Sequence, residues 1–260
     1  MLTVRRSGIP YVIPLFLAFT VLLCVVAWLL IGLPLGGERS VSVGAEEGAP
    51  AEHPPIACVV IDAGHGGEDG GAVGVNGVLE KGLNLSVSFA LRDLLEAAGV
   101  PVVMTRTEDK LLYDRSVDFQ GRKKVLDLEA RRVIAEEVAA EWEGNCLFVS
   151  IHMNAFPMPQ YSGMQVWYGA GDPRSAEIAE ALQSASVRLM PENRRRIKEA
   201  GSNIYLLDRI KTPAVLVECG FLSNPAEAER LSQEAYRRAL AAAIFSAVAP
   251  YVTHTETAVP

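Results

Sequence analysis

From Ile56 onward, short unbroken apolar runs alternate with stretches in which apolar residues return every three or four positions. Apolar runs that lack polar alternation and are bounded by Pro or Gly predict strands buried on both faces. They fall at residues 56–62 (IACVVID), 100–105 (VPVVMT), 146–151 (CLFVSI), 163–168, 203–207 and 213–217 (PAVLV). Helical spacing links Leu83, Val87, Leu91, Leu94 and Leu95, with Gly99 as the stop. It links Leu128, Ile134, Val138 and Trp142, closed by Gly144, and again Ile178, Leu182 and Leu189. A last helix is predicted from a cap at Asn224 to about Ala249, with Pro225 in its first position and Glu227 completing a capping-box spacing. Helices alternating with buried strands predict an α/β fold: a single three-layer domain over residues 56–251, with a mostly parallel twisted sheet flanked by helices. Residues 252–260 form a short tail, and no internal repeat is visible.

The N-terminus breaks this pattern. Residues 7–37 contain no Asp, Glu, Lys or Arg, and residues 11–35 are almost continuously apolar. A membrane-spanning helix needs about 20 apolar residues. Arg5 and Arg6 precede the run and acidic residues follow it, which predicts a cytoplasmic N-terminus and an exported remainder. The run exceeds a usual signal-peptide core, which favours an uncleaved anchor over residues 1–36. Cleavage near Val43, Gly44 and Ala45 is the alternative and would give a secreted protein. Residues 37–55, rich in Gly, Ala, Pro, Glu and Ser, read as a flexible linker.

Composition sharpens this picture. The 260-residue chain has a net charge of −7 and a mean hydropathy of +0.20. The apolar run accounts for the high hydropathy. All 31 acidic residues but only 22 of the 24 basic ones lie after residue 36, so the exported part carries −9. That balance argues against nucleic acid as a partner, which needs a basic face. Cys24 lies in the apolar run. Cys58, Cys146 and Cys219 are widely spaced beside strand-like segments and read as buried thiols, with a single bridge as the alternative.

In an open α/β sheet the site lies beyond the carboxyl ends of the strands. Three apolar runs end there in chemically competent residues: Asp62 and His65 after the first, His152 and Asn154 after the third, Glu218 after the last. Glu80 follows His65 by 15 residues, across a loop with seven glycines in 14 positions. That loop lacks the Gly-Lys-Ser/Thr of a phosphate loop and the third glycine of a dinucleotide fingerprint, where Asp69 stands instead. Folding His65 and Glu80 around one ion explains it better. Two imidazoles and one carboxylate form a catalytic zinc set with a fourth position for water. Glu218 is then available as general base. Blander readings stand beside these. Glu80 could be a helix-start carboxylate favoured by the dipole, and Glu218 a buried ion-pair partner. Asp62 either orients His65 or satisfies turn amides. Cys219 is a weak rival as a thiol nucleophile. The basic cluster around Arg195 is either a solvated face or a grip on substrate carboxylates.

Five segments resemble the zinc-dependent N-acetylmuramoyl-L-alanine amidases: VIDAGHGG at 60–67, EKGLNL at 80–85, Thr105 with Arg106, SIHMNA at 150–155 and VECGFLSN at 217–224. The resemblance covers about residues 59–251. It implies that His65, Glu80 and His152 bind Zn2+ and that Glu218 is the catalytic glutamate; Asp62, Asn154, Arg106 and Arg195 are the candidates for orienting ligands or holding substrate. It also implies the substrate, the amide joining the lactyl group of N-acetylmuramic acid to L-alanine in peptidoglycan. The apolar N-terminus, the arginine-rich stretch 114–132 and SNIYLL at 202–207 resemble the spore-cortex, germination-specific type, which acts with a deacetylase in making muramic-δ-lactam. The segment around 114–124 has no assigned role. No wall-binding repeats are visible, so targeting would rest on the anchor or on an activator or targeting protein.

Overall fold

The computed structural model describes residues 54–114, 116 and 121–253. The N-terminal apolar run, the linker up to His53 and the tail beyond Thr253, with His254, lie outside the described residues, as does part of the segment around 114–124. Among the described residues, no helix is long and apolar enough to cross a membrane.

One six-stranded sheet runs through the domain in the order β2-β1-β3-β6-β4-β5. Its strands are β1 (Cys58–Ala63), β2 (Val102–Met104), β3 (Cys146–Asn154), β4 (Gln165–Tyr168), β5 (Lys198–Glu199) and β6 (Ala214–Phe221). The helices are α1 (Glu80–Ala97), α2 (Lys123–Glu141), α3 (Arg174–Leu189), α4 (Tyr205–Arg209), α5 (Pro225–Ser232) and α6 (Glu234–Val248). β2, β1, β3 and β6 are parallel, while β4 runs antiparallel to β6. The mostly parallel α/β expectation therefore holds.

Alternation along the strands makes two cores. Val59 and Ile61 face α1, α3 and α6 through Leu83, Val87, Leu91, Ile178, Leu182, Leu240 and Ile244. Cys58 and Val60 face α2 and α4 through Ala135, Val138, Leu206 and Leu207. With both faces covered, the central strands read as unbroken apolar runs. After β1 the chain crosses outward to β2, then returns to the other side of β1 as β3. Strand order thus reverses between β1 and β3, the kind of switch point beside which open α/β sheets place their ligands, at the carboxyl edge.

Four local expectations are corrected. Residues 203–207 do not form a strand: Tyr205–Arg209 is the short helix α4, and the edge strand is Lys198–Glu199. A five-residue apolar run has no periodicity of its own to choose between the two. Packing decides, since a helix here buries Leu206, Leu207 and the following Ile210 together against the α2 face. The last helix is two helices, broken where Gln233 takes an extended conformation. Its start is as expected, with the Asn224 side chain accepting from the amides of Ala226 and Glu227. Glu227 does not close a capping box. It is buried and accepts from the amides of Gly163 and Phe221 instead. β3 and β6 also run further than the apolar patterns indicate, so His152, Asn154 and Glu218 belong to the strands themselves. Cys58, Cys146 and Cys219 are buried free thiols.

Candidate metal centre and active site

The glycine loop after β1 folds back on the sheet edge. His65 sits in it with a left-handed φ of 62°, a strained conformation for a residue with a Cβ. The surrounding structure holds it there. Nη2 of Arg131 donates to the His65 carbonyl at 2.7 Å, and His65 Nδ1 lies 2.8 Å from Asp69 Oδ2. The loop is clamped from outside by Lys81, whose Nζ donates to the Gly67 carbonyl and pairs with Asp109.

Glu80 opens α1 and is 3% exposed. Oε1 accepts from the Met153 amide at 3.0 Å and Oε2 from the Ala72 amide at 2.8 Å. The same oxygens face His152 Nδ1 at 2.9 Å and His65 Nε2 at 3.3 Å. One ligand atom from each of His65, Glu80 and His152 lies within 4.8 Å of the others. Burial pushes the Glu80 carboxyl up, but the two imidazoles outweigh it and hold the group far below the usual carboxylate range. Burial works against protonation of His65, yet Glu80 and Asp69 win and raise its pKa.

Two glycines make room for this cluster. A Cβ on Gly64 would stand 2.2 Å from Cε1 and Nε2 of His152. One on Gly71 would meet Glu80 Oε2 at 2.6 Å and His65 Cδ2 at 2.7 Å. The site fits a zinc ion by its donor set, two imidazoles and an ionised carboxylate, and by this cradle, which leaves the donors facing one another.

Glu218 stands beside the cluster, paired in register with His152 across β3 and β6. The pairing is irregular immediately beyond, between His152 and Asn154. Glu218 is only part-buried as a residue, but its Oε2 is sealed from solvent and has no hydrogen-bond partner among the described residues. Burial raises its pKa to about 7, against the pull of His152 and with help from the Glu80 charge. A carboxyl poised near neutrality beside a metal-competent cluster can both accept and return a proton.

The remaining predicted residues fall in different places. Asp62 does not touch His65. It is fully buried and accepts from Thr105 Oγ1, Ser150 Oγ and Arg131 Nη1; burial pushes its pKa up, but Arg131, Ser150 and His152 outweigh it and hold the carboxyl down. Asp69 is the residue that orients His65, and its signal was present as a carboxylate four residues on in the glycine loop, next to Glu68. Arg106 is buried and spends its guanidinium on the carbonyls of Ala63, Gly64, Lys81 and Glu108. Burial, then Arg131, lowers its pKa to about 10. It braces the loop from below. Asn154 ends β3, and its carbonyl accepts from the Leu222 amide. Arg195 lies over the Phe221 ring at 4.3 Å. Cys219 is fully buried, which drives its thiol pKa up and removes it as a nucleophile.

Sequence reasoning missed Arg131. It lies in α2, buried, and bridges Asp62, Asp127 and the carbonyls of Ala63 and His65. A family model described as N-acetylmuramoyl-L-alanine amidase (Amidase_3) matches residues 59–250.

The chain belongs to that amidase family.

The germination-specific N-acetylmuramoyl-L-alanine amidase of Bacillus subtilis is 36% identical over 195 residues, covering 75% of this chain and 79% of the relative. Among solved structures, the CwlD amidase of Clostridioides difficile, in complex with the GerS lipoprotein, is 35% identical with a TM-score of 0.69, covering 75% of this chain and 98% of that one. The AmiC2 amidase of Nostoc punctiforme is 31% identical with a TM-score of 0.61, covering 76% and 98%. The family match begins at β1 and ends after α6, so the amidase unit is the folded domain described above.

Proposed function

We propose that this chain is a zinc-dependent amidase that cuts the bond between the lactyl group of N-acetylmuramic acid and L-alanine in peptidoglycan. The observation that carries the reading is the convergence of His65, Glu80 and His152 beside Glu218, in a chain of this family. His65, Glu80 and His152 would hold the ion. Bound there, zinc would polarise the scissile carbonyl and lower the pKa of water. Asp69 holds the His65 ring through Nδ1, which leaves Nε2 turned to the cluster. Arg131 fixes the loop backbone under the same ring. The Glu218 carboxylate takes a proton from the attacking water and returns it to the departing alanine nitrogen.

The relatives and the N-terminus extend the reading. The Bacillus subtilis relative is named germination-specific, which supports a role in spore-cortex maturation and muramic-δ-lactam formation. The Clostridioides difficile structure is a complex with a lipoprotein, which supports a lipoprotein as targeting or activating partner. The charge-free run over residues 7–37 supports an extracytoplasmic domain, membrane-anchored or released by cleavage.

The test is digestion of purified peptidoglycan by the zinc-loaded protein, with the new ends identified by mass spectrometry. New L-alanine amino termini and intact lactyl carboxylates are expected. Glu218→Gln should keep its zinc and lose about 10²–10⁴-fold in turnover. Cuts within the stem peptide would make the protein a peptidase, and a fully active Glu218→Gln would remove Glu218 as the base.

A further inference from the structure

Pairing register lays out a row of side chains across the sheet edge. His152 on β3 pairs with Glu218 on β6, and Glu218 pairs with Gln165 on β4. Directly paired residues project from the same face, and neighbouring strands stand about 4.8 Å apart. The row continues past Gln165, because Nη1 of Arg195 lies 3.5 Å from Gln165 Oε1. Metal ligand, Glu218 and Gln165 therefore form a row away from the metal-competent cluster, and Arg195 joins it at Gln165 from over Phe221 at the carboxyl edge.

Of three consecutive arginines, Arg194 and Arg196 are exposed and Arg195 is part-buried. Its position is built. Nε donates to the Ser162 carbonyl at 2.7 Å, and the guanidinium lies 4.3 Å from the Phe221 ring centre and 5.7 Å from that of Tyr161. Tyr161 is itself packed edge-on by Phe156. No carboxylate forms an ion pair with Arg195 among the described residues. Glu227 acts on it through space, but that carboxylate is already committed to the amides of Gly163 and Phe221. The guanidinium is held through Nε, more loosely through Nη1, and by its aromatic neighbours, which leaves the Nη2 hydrogens for an anion such as a carboxylate.

We infer that Arg195 binds the free α-carboxylate of the second stem-peptide residue, making the enzyme selective for stems in which that carboxyl is not amidated. The inference rests on the amidase reading above. When the alanine nitrogen departs at Glu218, an extended peptide advances about 3.3–3.6 Å per residue. The next residue then spans the one strand spacing to Gln165 and presents its carboxyl to Arg195. In peptidoglycan that residue is a γ-linked glutamate, whose α-carboxyl occurs both free and as the amide.

The test uses two muropeptides that differ only in that carboxyl, free or amidated, with the zinc-loaded full chain. The wild-type protein should prefer the free acid by about tenfold in kcat/KM, with the difference in KM. Arg195→Gln should bring the ratio of the two substrates close to one, and Arg195→Lys should leave an intermediate ratio. Each ratio is taken within one protein, so a loss of folded material cancels. Calorimetric affinity for the released dipeptide, acid against amide, reads the same preference without turnover. Equal use and equal binding of acid and amide by the wild type would overturn the inference, as would a preference that survives in Arg195→Gln. If neither muropeptide is cut at the lactyl amide, the amidase reading fails, while the dipeptide affinities still decide on Arg195.

Discussion

Burying the Glu218 carboxyl costs stability once it ionises, and the cost has a predicted size. Its carboxyl is raised from the ordinary 4.5 to about 7 by burial. That difference corresponds to up to about 3 kcal/mol, spent on holding the ionised form in the fold. The sign follows from proton linkage. Between about pH 4.5 and 7 the folded protein keeps this proton and the unfolded chain has lost it, so stability falls as pH rises through that window and levels off above 7. Gln has nearly the same shape and no charge. In urea titrations of metal-free protein, Glu218→Gln should therefore gain on the wild type as pH rises from 4.5 to 7. The gain should reach about 3 kcal/mol, roughly 6–12 °C in Tm for a domain of this size. Zinc loading should shrink it, because a nearby dication favours the carboxylate. Curves that run parallel from pH 4.5 to 8 would show that the Glu218 site is not the desolvated pocket described above.

Three further outcomes follow from the contacts. Asp69→Asn removes the carboxylate that orients His65 Nδ1 and should weaken zinc binding about 10–100-fold in chelator competition, with the fold retained. Gly64→Ala puts a Cβ 2.2 Å from the His152 ring. Circular dichroism should stay unchanged while turnover falls roughly 100-fold, as expected when a catalytic group is displaced. Arg131→Met leaves Asp62 and Asp127 buried without their cation. It should cost about 3–5 kcal/mol in urea unfolding, and a loss under 1 kcal/mol would contradict the bridging role.

Much of the domain was legible because its signals are local. The buried strands announce themselves as apolar runs that no amphipathic element would tolerate. Gly99 and Gly144 mark helix ends through their left-handed conformations. His65, Glu80, His152 and Glu218 could be gathered from sequence because a parallel sheet sends every strand's carboxyl end to one edge. The misreadings share a cause. Residues 203–207 are too short to carry a period, so their packing against α2 chose the helix. Asp62 looked like the partner of His65 by proximity in sequence. In the fold, however, its carboxylate sits on the α2 side of β1, where Arg131 and Ser150 reach it first.

The sequence by itself determined the fold class and the sheet edge where His65, Glu80, His152 and Glu218 gather, because strand burial and strand polarity are written in the order of residue types. Only the tertiary structure decided how those residues are held. Asp69 reaches His65 because the glycine loop curls back, and Arg131 reaches the same loop from a helix 66 residues further along the chain. Arg195 meets the row of Glu218 and Gln165 because β4 turns antiparallel beside β6. Such contacts depend on which strands become neighbours. That choice is made by the summed burial of two cores, and no short stretch of sequence records it.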